Sequence, residues 1–269
     1  MPANRRRKPR RTEPIHVVRH GTRHVGDGAA DFEHPLVSRY ATPEMLAIWS
    51  PQTRVATWRR IWVALAESQR ELGLPITQRQ IAAMKRMVDK IDFDAAARYE
   101  RKLRHDVMAH IHAFADAAPA ARGVIHLGAT SMDIVDNADL LITRRALDLL
   151  IARLAAAVRP LTDFCERYAD MPTLGFTHLQ PAQLTTVGKR AALWLADLLD
   201  DLRNLVRIRS QLRGRGLRGA TGTQASFLNL LGSAAKVRKL ERRFIQKLGF
   251  DACYPISGQT VSRKTDVEI

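Results

Sequence analysis

An all-α fold is predicted for this chain, and three features predict it. Ala and Leu dominate an apolar fraction of 46% while aromatics reach only 6%, a bias toward helix over sheet. Two stretches of about 30 residues repeat apolar side chains every seven positions, the spacing of helices that pack along a seam. Hydroxyl residues followed by Pro stand in helix-start arrangements at two points. At 269 residues the chain can form one large or two modest domains with a real core.

Taken in order, residues 1–38 show no hydrophobic period and are rich in Arg, His, Gly and Pro. They are expected to be a disordered basic extension. Helical patterning begins at Tyr40. Thr42-Pro43-Glu44 and Ser50-Pro51 each place Pro at a first helical position. A helix from about Pro51 to Leu72 should stop at Gly73, and Thr77-Gln78-Arg79-Gln80 has the spacing of a capping box. Helices follow at about 94–102 and 106–117. The first long helix carries Leu140, Leu147, Leu154, Leu161 and Tyr168, with Leu150, Ala157 and Phe164 three places on. The second carries Leu184, Ala191, Leu198, Leu205 and Leu212, supported by Leu195 and Leu202. Each should run about 45 Å, and Pro160 should kink the first. A shorter helix spans about 234–248 before Gly249, and the last residues read as the first turns of another. No strand-rich region is expected.

Net charge is +16. Residues 1–12 hold six basic and no acidic side chains, yet residues 1–38 together reach only +4, so most of the excess belongs to the folded body. Such an excess suits phosphate esters, polycarboxylates or nucleic acid, or simply a well-solvated basic surface. Cys165 and Cys253 fall in no CxxC or Cys/His spacing. Neither a disulfide framework nor a zinc site is expected, and a cytoplasmic setting fits. No run of 18 apolar residues suggests a membrane span. The Arg-rich start lacks the apolar segment of a secretory signal.

Several stretches could carry chemistry. VVRHGTRH (17–24) resembles the motif of histidine acid phosphatases, but it follows a Pro-containing basic tail rather than a core strand. In RKLRHDVMAHIHAF (101–114), His105 and His112 share a helix face without the i,i+4 spacing of a zinc pair. Arg104, His105 and Asp106 open a helix, where they offer donors for anionic oxygens or simply a solvated cap. HLGATS (126–131) puts Thr130 and Ser131 before a long helix, a setting that favours a carboxylate or phosphate, or ordinary N-capping by Ser131. GLRGATGTQASF adds Thr221, Thr223 and Gln224 in a Gly-rich loop. VGKR (187–190) is not a P-loop, because no Gly stands five positions before Gly188. His178, in GFTHLQPAQLTT, is either a buried structural residue or a proton carrier.

The order of these runs is more specific than any one of them. RYATPEM, RKLRHDVMAHIHAF, HLGATS, PTLGFTHLQPAQLTTVGKR, RGATGTQASFL and GQTVSRKTDVEI together resemble the adenylosuccinate lyase family of the fumarase/aspartase superfamily. The resemblance runs from Arg39 to Ile269. It implies a homotetramer around a central bundle of long helices, with each active site assembled from three subunits. Residues 39–130 would form an N-terminal helical domain and 131–269 the first part of the central bundle domain. The implied reaction is β-elimination of fumarate from adenylosuccinate, giving AMP, and from the succinyl-carboxamide intermediate of purine synthesis. The resemblance makes His178 the general acid toward the leaving nitrogen, with His105 supporting. Thr177 lies beside the succinyl group, and Arg39 and Tyr40 contact the nucleotide. Arg104, His105 and Asp106 form a further binding segment, while Thr130, Ser131 and Gln224 hold the carboxylates. No metal or organic cofactor is implied.

The family's base is a serine in a Ser-Ser-x-Met-Pro-x-Lys loop, and these 269 residues contain no Ser-Ser pair. The chain is therefore expected to be an N-terminal portion: a truncated gene product, half of a split gene or a partial piece. Alone it should lack lyase activity and either aggregate or associate with a complementary C-terminal fragment. The competing reading is a non-catalytic helical assembly or nucleic-acid-binding module. Under the resemblance the partner is a purine nucleotide, with no nucleic acid and no membrane.

Overall fold

The computed structural model describes residues 34–269. The RHGTR run and most of the expected disordered extension lie outside them. The chain divides into two compact units, Met1–Ala41 and Thr42–Ile269. In the first, the described residues form a single π-helical turn, Leu36–Tyr40, closed by Ala41 N–H donating to Leu36 O at 2.8 Å.

The second unit is mostly helical. Helix α1 (Pro43–Ile48) starts at Thr42, whose Oγ1 accepts from Met45 N–H, and α2 (Pro51–Arg70) starts at Ser50, whose Oγ accepts from Thr53 N–H. Each places Pro at its first position, where a missing N–H removes nothing from the helix. The chain turns at Gly73. Thr77 and Gln80 then close the expected capping box of α3 (Gln78–Arg86). Asp92 caps α4 (Phe93–Leu103), and α5 runs over Asp106–Ala117.

Helix α2 is the spine of the core. Val55, Trp58, Ile61, Trp62 and Leu65 recur at three- and four-residue steps and are buried. Fully burying side chains of this size contributes about 1.5–3 kcal/mol each. Trp62 stacks on Phe114 of α5 at 5.9 Å. Arg59 is buried beside it. Its Nη1 donates to the carbonyls of Met87 and Lys90 just past α3, its guanidinium sits 4.5 Å over the Phe114 ring, and burial lowers its pKa to about 10.

Helix α6 spans Ser131–Arg167, 37 residues in which Pro160 lies without ending the helix. Its first half is in the core through Ile134, Ala138, Leu140, Ile142 and Leu147. Helix α7 (Val187–Gln211) packs back along α6. Leu154, Leu161, Leu195, Leu198, Leu202 and Leu205 of the expected seams are only half-buried. Leu150, Phe164, Leu193, Trp194 and Val206 are exposed. Short helices α8 (Ala225–Leu231) and α9 (Ala234–Lys247) return to the α2 core, and α10 (Lys264–Val267) is a single turn.

The link between the long helices is an element that the helical pattern did not announce, although no strand-rich region is present among the described residues. It is a hairpin, β1 (Pro172–Thr177) against β2 (Gln180–Thr186), running from Pro172 opposite Thr186 to Thr177 opposite Gln180, with a bulge between Leu174 and Phe176. Leu184 therefore belongs to β2 and not to the second long helix, which begins at Val187 with Thr186 as its cap. The hairpin turns on His178 and Leu179, both left-handed at φ 50° and 60°. Two-residue turns of this kind favour Asn-Gly, so His-Leu carried no turn signal. Gly188, next to it, donates its N–H to Tyr168 O at 2.8 Å and joins the two long helices.

Candidate functional site

The start of α6 is held by its neighbours. In the loop before it, His126 Nδ1 accepts from Trp62 Nε1–H at 3.0 Å, Leu127 O accepts from Gln69 Nε2 at 2.7 Å, and Gly128 O accepts from Ser226 Oγ at 2.6 Å. His126 is left-handed at φ 67°. Burial pushes its imidazole down to about 4, so it is neutral and can accept from the indole. Gly128 is at φ +72°, and a Cβ there would lie 3.3 Å from the Phe227 ring while colliding with Leu230. Only glycine fits.

This loop delivers Thr130 and Ser131 to a cavity of about 370 Å³ lined also by His105, Asp106, Val107, Met132, Val135, Gln259 and Thr260. Thr130, not Ser131, is the helix cap, and its N–H donates to Asp133 Oδ2 at 2.9 Å. Ser131 is thereby free to face His105, with Oγ 3.3 Å from Nε2. His105 caps α5, and its Nδ1 accepts from Met108 N–H at 3.4 Å. With Nδ1 accepting, the neutral ring carries its proton on Nε2 and donates to Ser131. Asp106 Oδ1 lies 3.5 Å from Nδ1.

Behind the cavity is a buried polar network that the sequence reading did not single out. The Asp133 carboxylate pairs with Arg215 and accepts from the backbone N–H groups of Arg218 at 2.7 Å and Gly219 at 3.2 Å. Asn137 Oδ1 accepts from Arg215 N–H at 2.8 Å, and its Nδ2 donates to Gly216 O at 3.0 Å. Asp136 accepts from Val261 N–H at 2.6 Å and from Arg263 Nη2 at 3.0 Å. These bonds tie the 215–219 and 258–263 segments to the first turns of α6.

The other expected residues are elsewhere. Arg104 ends α4 in the left-handed conformation, exposed and without an ion pair among the described residues, and it does not line the cavity. Gln224 turns its amide away: Nε2 donates to Leu217 O at 2.7 Å and to Glu241 Oε1 at 3.3 Å. Arg39 and Tyr40 belong to the first unit, where Tyr40 is exposed. Thr177 and His178 stand at the hairpin tip, exposed, and the His178 ring has no hydrogen-bond partner among the described residues. That tip follows the C-terminal end of α6, whereas the cavity is at its N-terminal end. A 37-residue helix spans about 55 Å at 1.5 Å per residue. Within one chain, His178 and the His105–Ser131 pair stand at opposite ends of that span.

Among the described residues no three His, Cys, Asp or Glu side chains gather as metal ligands, and no helix is long and apolar enough to cross a membrane. Cys165 and Cys253 are free thiols.

Residues 41–263 match the lyase family. The chain belongs to that family. This lyase chain is 51% identical over 243 residues to the adenylosuccinate lyase of Schizosaccharomyces pombe, covering 88% of itself and 50% of that relative. It is 49% identical to the adenylosuccinate lyase of Saccharomyces cerevisiae, again over 50% of the relative. The 3-carboxy-cis,cis-muconate lactonizing enzyme of Pseudomonas putida superimposes with a TM-score of 0.77 at 25% identity, over 87% of this chain and 52% of that one. The lyase chain thus spans about half the length of the curated relatives it matches. Its fold agrees with the long-helix bundle class expected from the sequence.

Proposed function

We propose that the chain provides one half of an adenylosuccinate lyase, acting in the cytoplasm on a purine nucleotide without a metal or organic cofactor. The observation that carries this reading is identity of about half to two yeast adenylosuccinate lyases across nearly the whole chain. In the reaction a base takes the proton from the carbon beside one succinyl carboxylate. The C–N bond then breaks, its electron pair goes to the purine-linked nitrogen, and fumarate leaves as AMP forms. Charge accumulating on the carboxylate needs fixed donors. Thr130 and Ser131 are neutral donors of that kind, with His105 supporting them, and Thr177 is a further member of the set. The leaving nitrogen needs a proton, and His178 is the acid we assign to it. Arg39, Tyr40, Arg104 and Asp106 serve nucleotide binding.

The length of α6 between the two groups, about 55 Å at 1.5 Å per residue, bears on assembly. A site that uses both His178 and the His105–Ser131 pair must draw them from different chains, which accords with a homotetramer and with the exposed apolar faces of α6 and α7. We place the base in the half that this chain does not supply. The test is to mix the chain with the C-terminal half of the Schizosaccharomyces pombe relative and follow fumarate release from adenylosuccinate. Release by the mixture, absent from either part and abolished by His178→Ala, is expected. Release by the 269-residue chain alone, or release indifferent to His178→Ala, refutes the proposal.

A further inference from the structure

Gln259 and Thr260 line the same cavity as Thr130 and Ser131. Both are exposed, and neither side chain has a hydrogen-bond partner among the described residues. Their backbone, in contrast, is fixed on both sides. Arg215 Nη2 donates to Gly258 O at 3.2 Å and to Gln259 O at 2.7 Å, and Val261 N–H donates to Asp136 at 2.6 Å. Gly222 approaches from outside so closely that a Cβ there would lie 3.3 Å from Gly258 Cα. Arg215 is itself fully buried on Asp133. Asp133 and Asp136 belong to the same turns of α6 that present Ser131. One buried network therefore sets both pairs of lining residues in a common register.

A fixed backbone bearing polar side chains with unused donors beside a cavity can serve as a pre-organised polar subsite. We infer that Gln259 and Thr260 form a carboxylate subsite, with the amide N–H and the hydroxyl donating to one carboxylate of a four-carbon dicarboxylate while Thr130 and Ser131 receive the other. The amide facing this cavity belongs to Gln259, because the N–H of Gln224 is already committed to Leu217 and Glu241. Neutral donors suit a ligand that must bind as a dianion and leave as one, since a fixed positive charge would retain the product. The inference rests on the lyase reading and deepens it.

The test is a ligand-observed NMR titration of the full 269-residue chain, co-assembled with the C-terminal half of the Schizosaccharomyces pombe relative, with fumarate as the probe. It compares wild type with Ser131→Ala, Gln259→Ala, Thr260→Val and Thr260→Ser, each checked for an unchanged unfolding midpoint. Saturable binding is expected, weakened about five-fold by each loss of a donor, as removal of a single hydrogen bond predicts, and preserved in Thr260→Ser. If Ser131→Ala weakens fumarate while Gln259→Ala and Thr260→Val bind like wild type, the subsite is refuted and the lyase reading stands. If wild type does not bind, or binding ignores Ser131→Ala, the lyase reading of this cavity falls and the subsite with it.

Discussion

Acid should loosen the loop that carries Thr130 and Ser131, and His126 is the reason. The ring is held neutral, with Nδ1 accepting from Trp62. Burial lowers its pKa from the ordinary 6.5 to about 4. A histidine depressed in the folded state gives stability that is complete above its unfolded pKa and is lost as pH falls toward the folded one. The window is therefore pH 6.5 to 4. With those two values, about 2 kcal/mol is lost by pH 5, and the limit at lower pH is about 3 kcal/mol. Burial also lowers the pKa of His110, which adds loss in the same direction, whereas it raises those of Glu241 and Asp139, which act oppositely. A difference between two proteins is therefore the right readout. His126→Asn keeps an acceptor for Trp62, and Asn tolerates a left-handed backbone. Urea unfolding at pH 7.5 and pH 5 should show wild type losing about 2 kcal/mol more than His126→Asn. Equal losses in the two proteins would refute the assignment of a half-buried, neutral His126.

Other consequences follow from the same geometry. Asp133→Asn leaves the buried Arg215 guanidinium without its closest counter-charge and should destabilise by about 3–5 kcal/mol in urea unfolding. Gly128→Ala must place a methyl against Phe227 and Leu230 at a left-handed φ and should lose about 2–4 kcal/mol by the same assay. Leu179→Gly removes left-handed strain at a residue that is 95% exposed. It should stabilise the hairpin locally by about 0.5–1 kcal/mol, read as slower hydrogen exchange of the β1–β2 amides.

Helix starts were legible because a cap is a local device. Thr42-Pro43, Ser50-Pro51 and Thr77…Gln80 all cap as their letters indicate. The α6–α7 seam was legible from its seven-residue repeat, except at Leu184, where the period continues by coincidence into β2. The hairpin was hidden because its turn uses His178 and Leu179 in a conformation that the chain does not advertise. Of the candidate residues, His105, Asp106, Thr130 and Ser131 line one cavity. Gln259 and Thr260 were missed because what makes them a wall is the Asp133–Arg215 contact, between residues 82 apart in sequence. A pattern of spacing cannot report a pairing over that distance. The placing of Ser131 at the start of α6 and of His178 beyond its end, in contrast, follows from the order of the elements.

That separation makes the central claim testable by mixing. Prepare the chain as His105→Ala and as His178→Ala, each with the C-terminal half of the Schizosaccharomyces pombe relative. Then co-assemble the two and measure fumarate release from adenylosuccinate. If one site takes His178 from one copy and the His105–Ser131 cavity from another, the mixture regains activity that neither variant shows alone. A mixture no more active than its two components would contradict the account.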